Sequence, residues 1–106
     1  MEVTFLGHRL FNVSDYAILE VFIHYDCTSP IAAFTREQII DKTGFSLSKV
    51  RNSLSMFLML NMIKEGAKDG KKKTYYITDE GIDNFQEAYR LTDEELDLEF
   101  GKDLND

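Results

Sequence analysis

From Ser46 to Leu58 the apolar residues Leu47, Val50, Leu54, Phe57 and Leu58 recur at helical spacing, behind serines able to cap a helix start. Ser48, Lys49, Asn52 and Ser55 fall on the opposite side, so the helix predicted over 46–60 buries one face and shows small polar and basic groups on the other. Asn61 suits the left-handed residue that ends such a helix, and Met62-Ile63-Lys64-Glu65 then reads as a short strand. The run Gly66-Ala67-Lys68-Asp69-Gly70-Lys71-Lys72-Lys73, with its Asp-Gly signal, predicts a hairpin tip, and Thr74-Tyr75-Tyr76-Ile77-Thr78 its return strand. Lysines crowded at one tip repel one another. A hairpin tolerates them where solvent or a polyanion surrounds them.

Upstream, residues 1–13 carry Val3, Phe5, Leu6, Leu10 and Phe11 without a clear period and read as an N-terminal arm. Ser14 is expected to cap a helix to about Tyr25, with Ile18, Val21, Phe22 and Tyr25 on one face and Tyr16, Leu19 and Ile23 on a second. Two apolar faces require two partners, and the arm or a second subunit are alternatives for the second. Cys27-Thr28-Ser29-Pro30 breaks the helix, and Ala32-Ala33-Phe34 suggests a minimal strand. Thr35-Arg36-Glu37-Gln38 fits a capping box for a short helix that buries Ile39 and Ile40 and stops at Gly44. After the hairpin, Thr78 caps a helix with Ile82, Phe85 and Tyr89 inward and Asp79, Asp83 and Glu87 outward as a solvated ridge. Thr92-Asp93-Glu94-Glu95 is a second capping box, leading into an acidic helix or tail over 91–106.

Helix, glycine turn, helix with a polar outer face, then hairpin, is the helix-turn-helix pattern followed by a wing. Over residues 14–90 the chain resembles the winged helix-turn-helix superfamily. The pieces are Thr35 to Thr43 as first helix, Ser46 to Leu60 as recognition helix, Asn61-Met62-Ile63, and the closing run Tyr75-Tyr76-Ile77-Thr78-Asp79-Glu80-Gly81, which resembles the Tyr-x-Leu-Thr-x-x-Gly of MarR-type and PadR-type regulators. Plasmid-partition proteins that coat a centromere array share the architecture and are resembled about equally. The resemblance implies a mainly α fold with a small β-hairpin wing (α+β). It also implies a homodimeric protein that binds double-stranded DNA, as transcriptional regulator or partition factor. An arginine common on the wing in such families is replaced here by lysines, which favours phosphate contact over insertion into the minor groove.

Charge qualifies this picture. The net charge is −7, yet residues 35–78 carry nine basic and four acidic groups, while residues 79–106 carry two and eleven. With a screening length of about 8 Å at physiological salt, a phosphate against the central segment responds mostly to that segment's net +5. In the expected interface Ser48, Lys49 and Asn52 face base edges, Ser46, Arg51 and Thr35 the backbone, and Lys68, Lys71, Lys72 and Lys73 phosphates. The alternative is a winged-helix protein-interaction module that does not bind DNA, favoured by the net charge and by an acidic C-terminus able to dock on a basic partner. Met56, Met59 and Leu60 at the rear of the recognition helix are the expected homodimer surface, with Tyr16, Leu19 and Ile23 the alternative.

The 106 residues make one domain able to bury roughly 65% of its unfolded surface. One cysteine and two histidines supply neither a disulfide nor a zinc-ligand spacing, and no secretory signal or membrane-spanning run is visible, so a cytoplasmic protein without metal or cofactor is expected. Catalysis is not expected. The tip's glycines are one residue too close for a phosphate loop, no Ser or Thr follows its first lysine, and lone Cys27 reads as a small buried hydrophobe.

Overall fold

The computed structural model describes residues 11–88. The expectations for residues 1–10, for Tyr89, for the Thr92 capping box and for the acidic end lie outside the described residues. Along the chain run α1 (Val13–His24), β1 (Phe34–Thr35), α2 (Arg36–Thr43), α3 (Leu47–Met59), β2 (Ile63–Glu65) and β3 (Thr74–Ile77). A further helix, α4, begins at residue 79 and is described as far as residue 88.

α1 opens one residue before the expected Ser14 cap. Asn12 is its N-cap: the Asn12 side chain accepts from the Asp15 backbone N–H at 3.0 Å, and the Asp15 carboxylate accepts from that of Asn12 at 3.0 Å. This reciprocal box satisfies two donors that a helix start otherwise leaves open. The expected two-faced character holds, since Ile18, Leu19 and Phe22 are all fully buried. Its second face is covered from within the chain. Phe11, only 6% exposed, meets the Tyr16 ring edge-on at 5.7 Å and Phe57 at 5.5 Å, and Tyr16 also faces Phe85 of α4 at 6.4 Å. Phe11, expected in the arm, thus belongs to the core, while Val13 opens α1 with its side chain 86% exposed.

The capping box at α2 is as expected: Thr35 Oγ1 accepts from the Gln38 N–H at 3.1 Å, and Gln38 Oε1 accepts from the Thr35 N–H at 2.8 Å. Gly44 ends the helix in the left-handed region at φ +74, a geometry that strains any residue with a Cβ. Ser46 then caps α3, accepting from the Lys49 N–H at 3.1 Å, and Asn61 stands left-handed at φ +60 beyond its end. Val50, Ser53, Leu54 and Phe57 form the buried face of α3. Two expected members differ: Leu58 is half-buried against the core, and Leu47, in the first turn, is 47% exposed.

The three strands form one antiparallel sheet in the order β1-β3-β2, with Phe34 opposite Tyr75, Thr35 opposite Thr74, and Ile63 opposite Ile77. The short strand expected over residues 32–34 is instead Phe34–Thr35 and pairs with the wing's return strand. At the hairpin tip Asp69 and Lys72 exchange both backbone hydrogen bonds at 3.0 Å across the expected Asp-Gly turn. The wing's root is tied down by the Ala67 N–H, which donates to Pro30 O at 2.8 Å, and by the Thr74 hydroxyl, which donates to Ala67 O at 2.5 Å. Downstream, Thr78 Oγ1 accepts from the Gly81 N–H at 3.0 Å, capping α4 as expected. Gly81 presses so closely on the Met62 carbonyl that a Cβ there would collide with it. That contact gives the Thr-x-x-Gly run a physical reason. The result is the expected mainly α winged helix-turn-helix with a small sheet.

Candidate nucleic-acid interface

α3 stands on one side of this scaffold with Ser48, Arg51, Asn52 and Ser55 exposed. Ser48, Asn52, Ser55 and Met59 share its outward ridge, and Arg51 occupies one flank. Lys49 occupies the other flank, and its placement differs from the base-edge role expected for it. Its ammonium donates to Asp15 Oδ1 at 2.6 Å and lies 3.4 Å from Asn12 Oδ1. Ser53, also on α3, donates its hydroxyl to the same Asp15 oxygen at 2.7 Å. The Asp15 side chain is 5% exposed and that of Lys49 28%. Burial pushes the Asp15 carboxyl up, but the hydrogen bonds from Lys49, Ser53 and the Asn12 backbone, with the attraction of the Lys49 charge, outweigh it and hold the group below its ordinary value. Lys49 therefore fastens α3 to α1.

Thr35 also departs from expectation. It is 3% exposed, and its hydroxyl is spent on the α2 cap, so no surface remains for a backbone phosphate. Ser46 is exposed while capping α3. Lys68, Lys71, Lys72 and Lys73 are all exposed on the wing. Lys73 Nζ lies 3.5 Å from Glu65 Oε2, both well solvated, a pair worth at most about 1 kcal/mol. Arg36, which pattern reading did not single out, stands beside the wing. With Glu37, Lys71, Lys72, Lys73 and Tyr75 it lines a cleft of about 230 Å³. The signal was present in the chain as a basic residue one step past a strand, but the strand's partner lies some forty residues away.

Of the expected dimer residues, Met59 is 76% and Leu60 40% exposed, while Met56 is half-buried against the core. On the alternative surface, Leu19 is fully buried, and Tyr16 and Ile23 are partly buried against the core. Cys27 is buried, and burial, with the nearby Asp26 charge second, pushes its thiol up to about 11, so it is protonated at neutral pH. Among the described residues no His, Cys, Asp and Glu group is arranged to hold a metal ion, and no helix is long and apolar enough to cross a membrane.

No family model matches the chain. It is 37% identical over 75 residues to the DNA-binding protein TubR of Clostridium botulinum C phage, a match covering 71% of this chain and 93% of that protein. The chain belongs to the TubR family. The solution structure of the DNA-binding TubR fragment from Clostridium botulinum superposes with a TM-score of 0.61 at 36% identity, over 73% of this chain and 95% of that one. TubR from Bacillus megaterium pBM400 superposes with a TM-score of 0.71 at 20% identity, over 84% and 98% respectively, a likeness of fold. The family match spans most of the TubR chains concerned, so the helix-turn-helix and wing described above are the TubR architecture.

Proposed function

We propose that this protein binds double-stranded DNA in a sequence-dependent way, with α3 in the major groove and the wing on phosphates. Membership of the TubR family supports the reading, and the observation that carries it is the presence of two exposed surfaces, one polar and one basic. An exposed polar ridge of Ser48 and Asn52, flanked by Arg51, stands on the same scaffold as a wing whose four lysines have little internal compensation. Asn can bond adenine edges and Arg guanine edges or phosphate, while lysines supply a sequence-independent attraction. Lys49 is assigned to positioning α3, and Thr35 to capping α2. The protein acts in the cytoplasm as a binding protein without cofactor or catalysis. Its role is to mark a DNA locus, as a partition factor at a centromere array or as a local regulator, and the TubR kinship together with the resemblance to centromere-coating proteins favours partition.

The test is to select bound fragments from the host DNA with the purified full chain and sequence them. Enrichment of one locus with a repeated short motif supports partition, and isolated operator-like sites support local regulation. Uniform recovery of all fragments would overturn sequence-dependent binding.

The working unit is a homodimer that pairs at the rear of α3 through Met59 and Leu60, two exposed side chains whose burial favours association by about 1 kcal/mol or more each. Replacing both by glutamate should give a folded monomer in sedimentation. A folded dimer would place the interface elsewhere.

A further inference from the structure

The cleft between the head of α2 and the wing is lined by four cations, Arg36, Lys71, Lys72 and Lys73, and one carboxylate, Glu37, with a second, Glu65, 3.5 Å from Lys73 Nζ at its edge. What brings them together is sheet register. Thr35 pairs with Thr74, so the residue after the one, Arg36, and the residue before the other, Lys73, leave the sheet side by side. The Arg36 guanidinium is poorly engaged: its nearest carboxylate oxygen, on Glu37, lies 3.9 Å away, at the limit of an ion pair, and its Nε is buried without a hydrogen-bond partner. A buried donor left unsatisfied in a ring of like charge costs free energy that an anion would recover. A planar guanidinium offers the paired N–H geometry that phosphate oxygens match.

We infer that this cleft is a phosphate seat, in which Arg36 and the wing lysines together hold one phosphodiester group of a DNA strand. The inference rests on the DNA-binding reading above and adds to it a residue outside both the recognition helix and the wing. A strand is favoured over a small free anion because three of the four cations are exposed lysines in sequence, suited to following a backbone. Held at this point, the strand is registered against the head of α2 as well as the wing, so the seat sets where α3 enters the groove.

The experiment follows the Nε–Hε signal of Arg36 by NMR in the full chain, titrated with duplex DNA of the selected sequence, with random duplex, and with inorganic phosphate at the same phosphate concentration. Both duplexes should shift the signal, and inorganic phosphate should shift it far less. In parallel, Arg36→Ala should weaken binding to both duplexes by a similar factor of about ten and make the salt dependence shallower by about 0.9, one phosphate's worth. Arg36→Lys should keep the slope and lose part of the affinity. The combined loss with Lys72→Ala should fall short of the product of the single losses, since both hold one group. If Arg36→Ala melts and binds like the parent chain with an unchanged slope, while Asn52→Ala still lowers discrimination, the seat is refuted and DNA binding stands. A signal moved by inorganic phosphate but not by duplex would also refute it. If the parent chain binds neither duplex, both the reading and the seat fall.

Discussion

Two sets of cationic side chains in this molecule have opposite fates. Lys49 is drawn against a carboxylate that is nearly sealed from water, and its charge serves to lock α3 onto α1. Lys68, Lys71, Lys72 and Lys73 stand in solvent on the wing, with a single long contact from Lys73 to Glu65 among the ion pairs of the described residues. The contrast separates structural from available charge. A cation matched inside the fold has already given up part of its hydration and gained its partner, whereas an unmatched one retains the capacity to gain a partner from outside. Counting basic residues along the central segment treats the two alike, and the structure does not.

The largest expected effect is at the matched pair. Asp15→Ala leaves the Ser53 hydroxyl without its acceptor and the Lys49 ammonium with only the longer contact to Asn12, and urea denaturation should show a loss of about 2–4 kcal/mol, reduced from the fully buried case because Lys49 keeps some solvent. Lys49→Ala should resemble it in stability and leave the preference between preferred and random DNA unchanged. A loss of preference with intact stability would return Lys49 to the base edges. Because the fold holds the Asp15 carboxyl below its ordinary value, its contribution is complete above the unfolded carboxylate range and is lost as pH falls through the lower, folded value. Acid unfolding of Asp15→Asn should accordingly lack this component, which pH titration of stability would detect.

Next in size is the unmatched set. Replacing Lys71, Lys72 and Lys73 by alanine should weaken binding to every duplex and lower the salt slope by at least about 0.9, the one phosphate of the cleft, with the melting temperature little changed. An unchanged slope would show that the wing does not touch the backbone. Asn52→Ala, on the exposed ridge, should cost roughly 1–3 kcal/mol on the preferred site and little on random DNA, read by anisotropy titration of both. Equal losses on the two would count against base reading. The smallest effect sharpens the comparison most directly. Glu65→Ala removes the exposed partner of Lys73 and should change stability by less than about 0.5–1 kcal/mol, against the several-fold larger loss at Asp15.

What the chain's pattern revealed was whatever depends on neighbours in sequence. The Thr35 and Ser46 caps, the Gly44 stop, the left-handed Asn61, the Asp-Gly turn and, on α3, the burial of Val50, Leu54 and Phe57 all follow from local chemistry and stand in the structure, whereas Leu47 is exposed and Leu58 half-buried. What escaped it depends on residues far apart. Lys49 looked like an outward group because its helical angle is outward on one side, but Asp15, thirty-four positions earlier, reaches that flank. Arg36 looked like an ordinary first-turn residue until β1 paired with β3. Thr35 was given two tasks, cap and phosphate ligand, and a hydroxyl committed to the first at 3% exposure has none left for the second. The one local signal missed was at α1, where Asn12 and Asp15 form the same box that Thr35 and Gln38 do, with aspartate in place of the amide.

The strand order has a mechanical consequence. β3, the return strand of the wing, is the middle strand of its sheet, gripped by β1 on one edge and β2 on the other, and β1 runs directly into α2. The wing's base therefore cannot pivot against the helix-turn-helix without breaking a ladder on one side. The spacing between the head of α2 and the hairpin's root is thereby held in the manner of a caliper. In the complex proposed above, a duplex held at both points supplies the adjustment itself, by bending or twisting to the gauge.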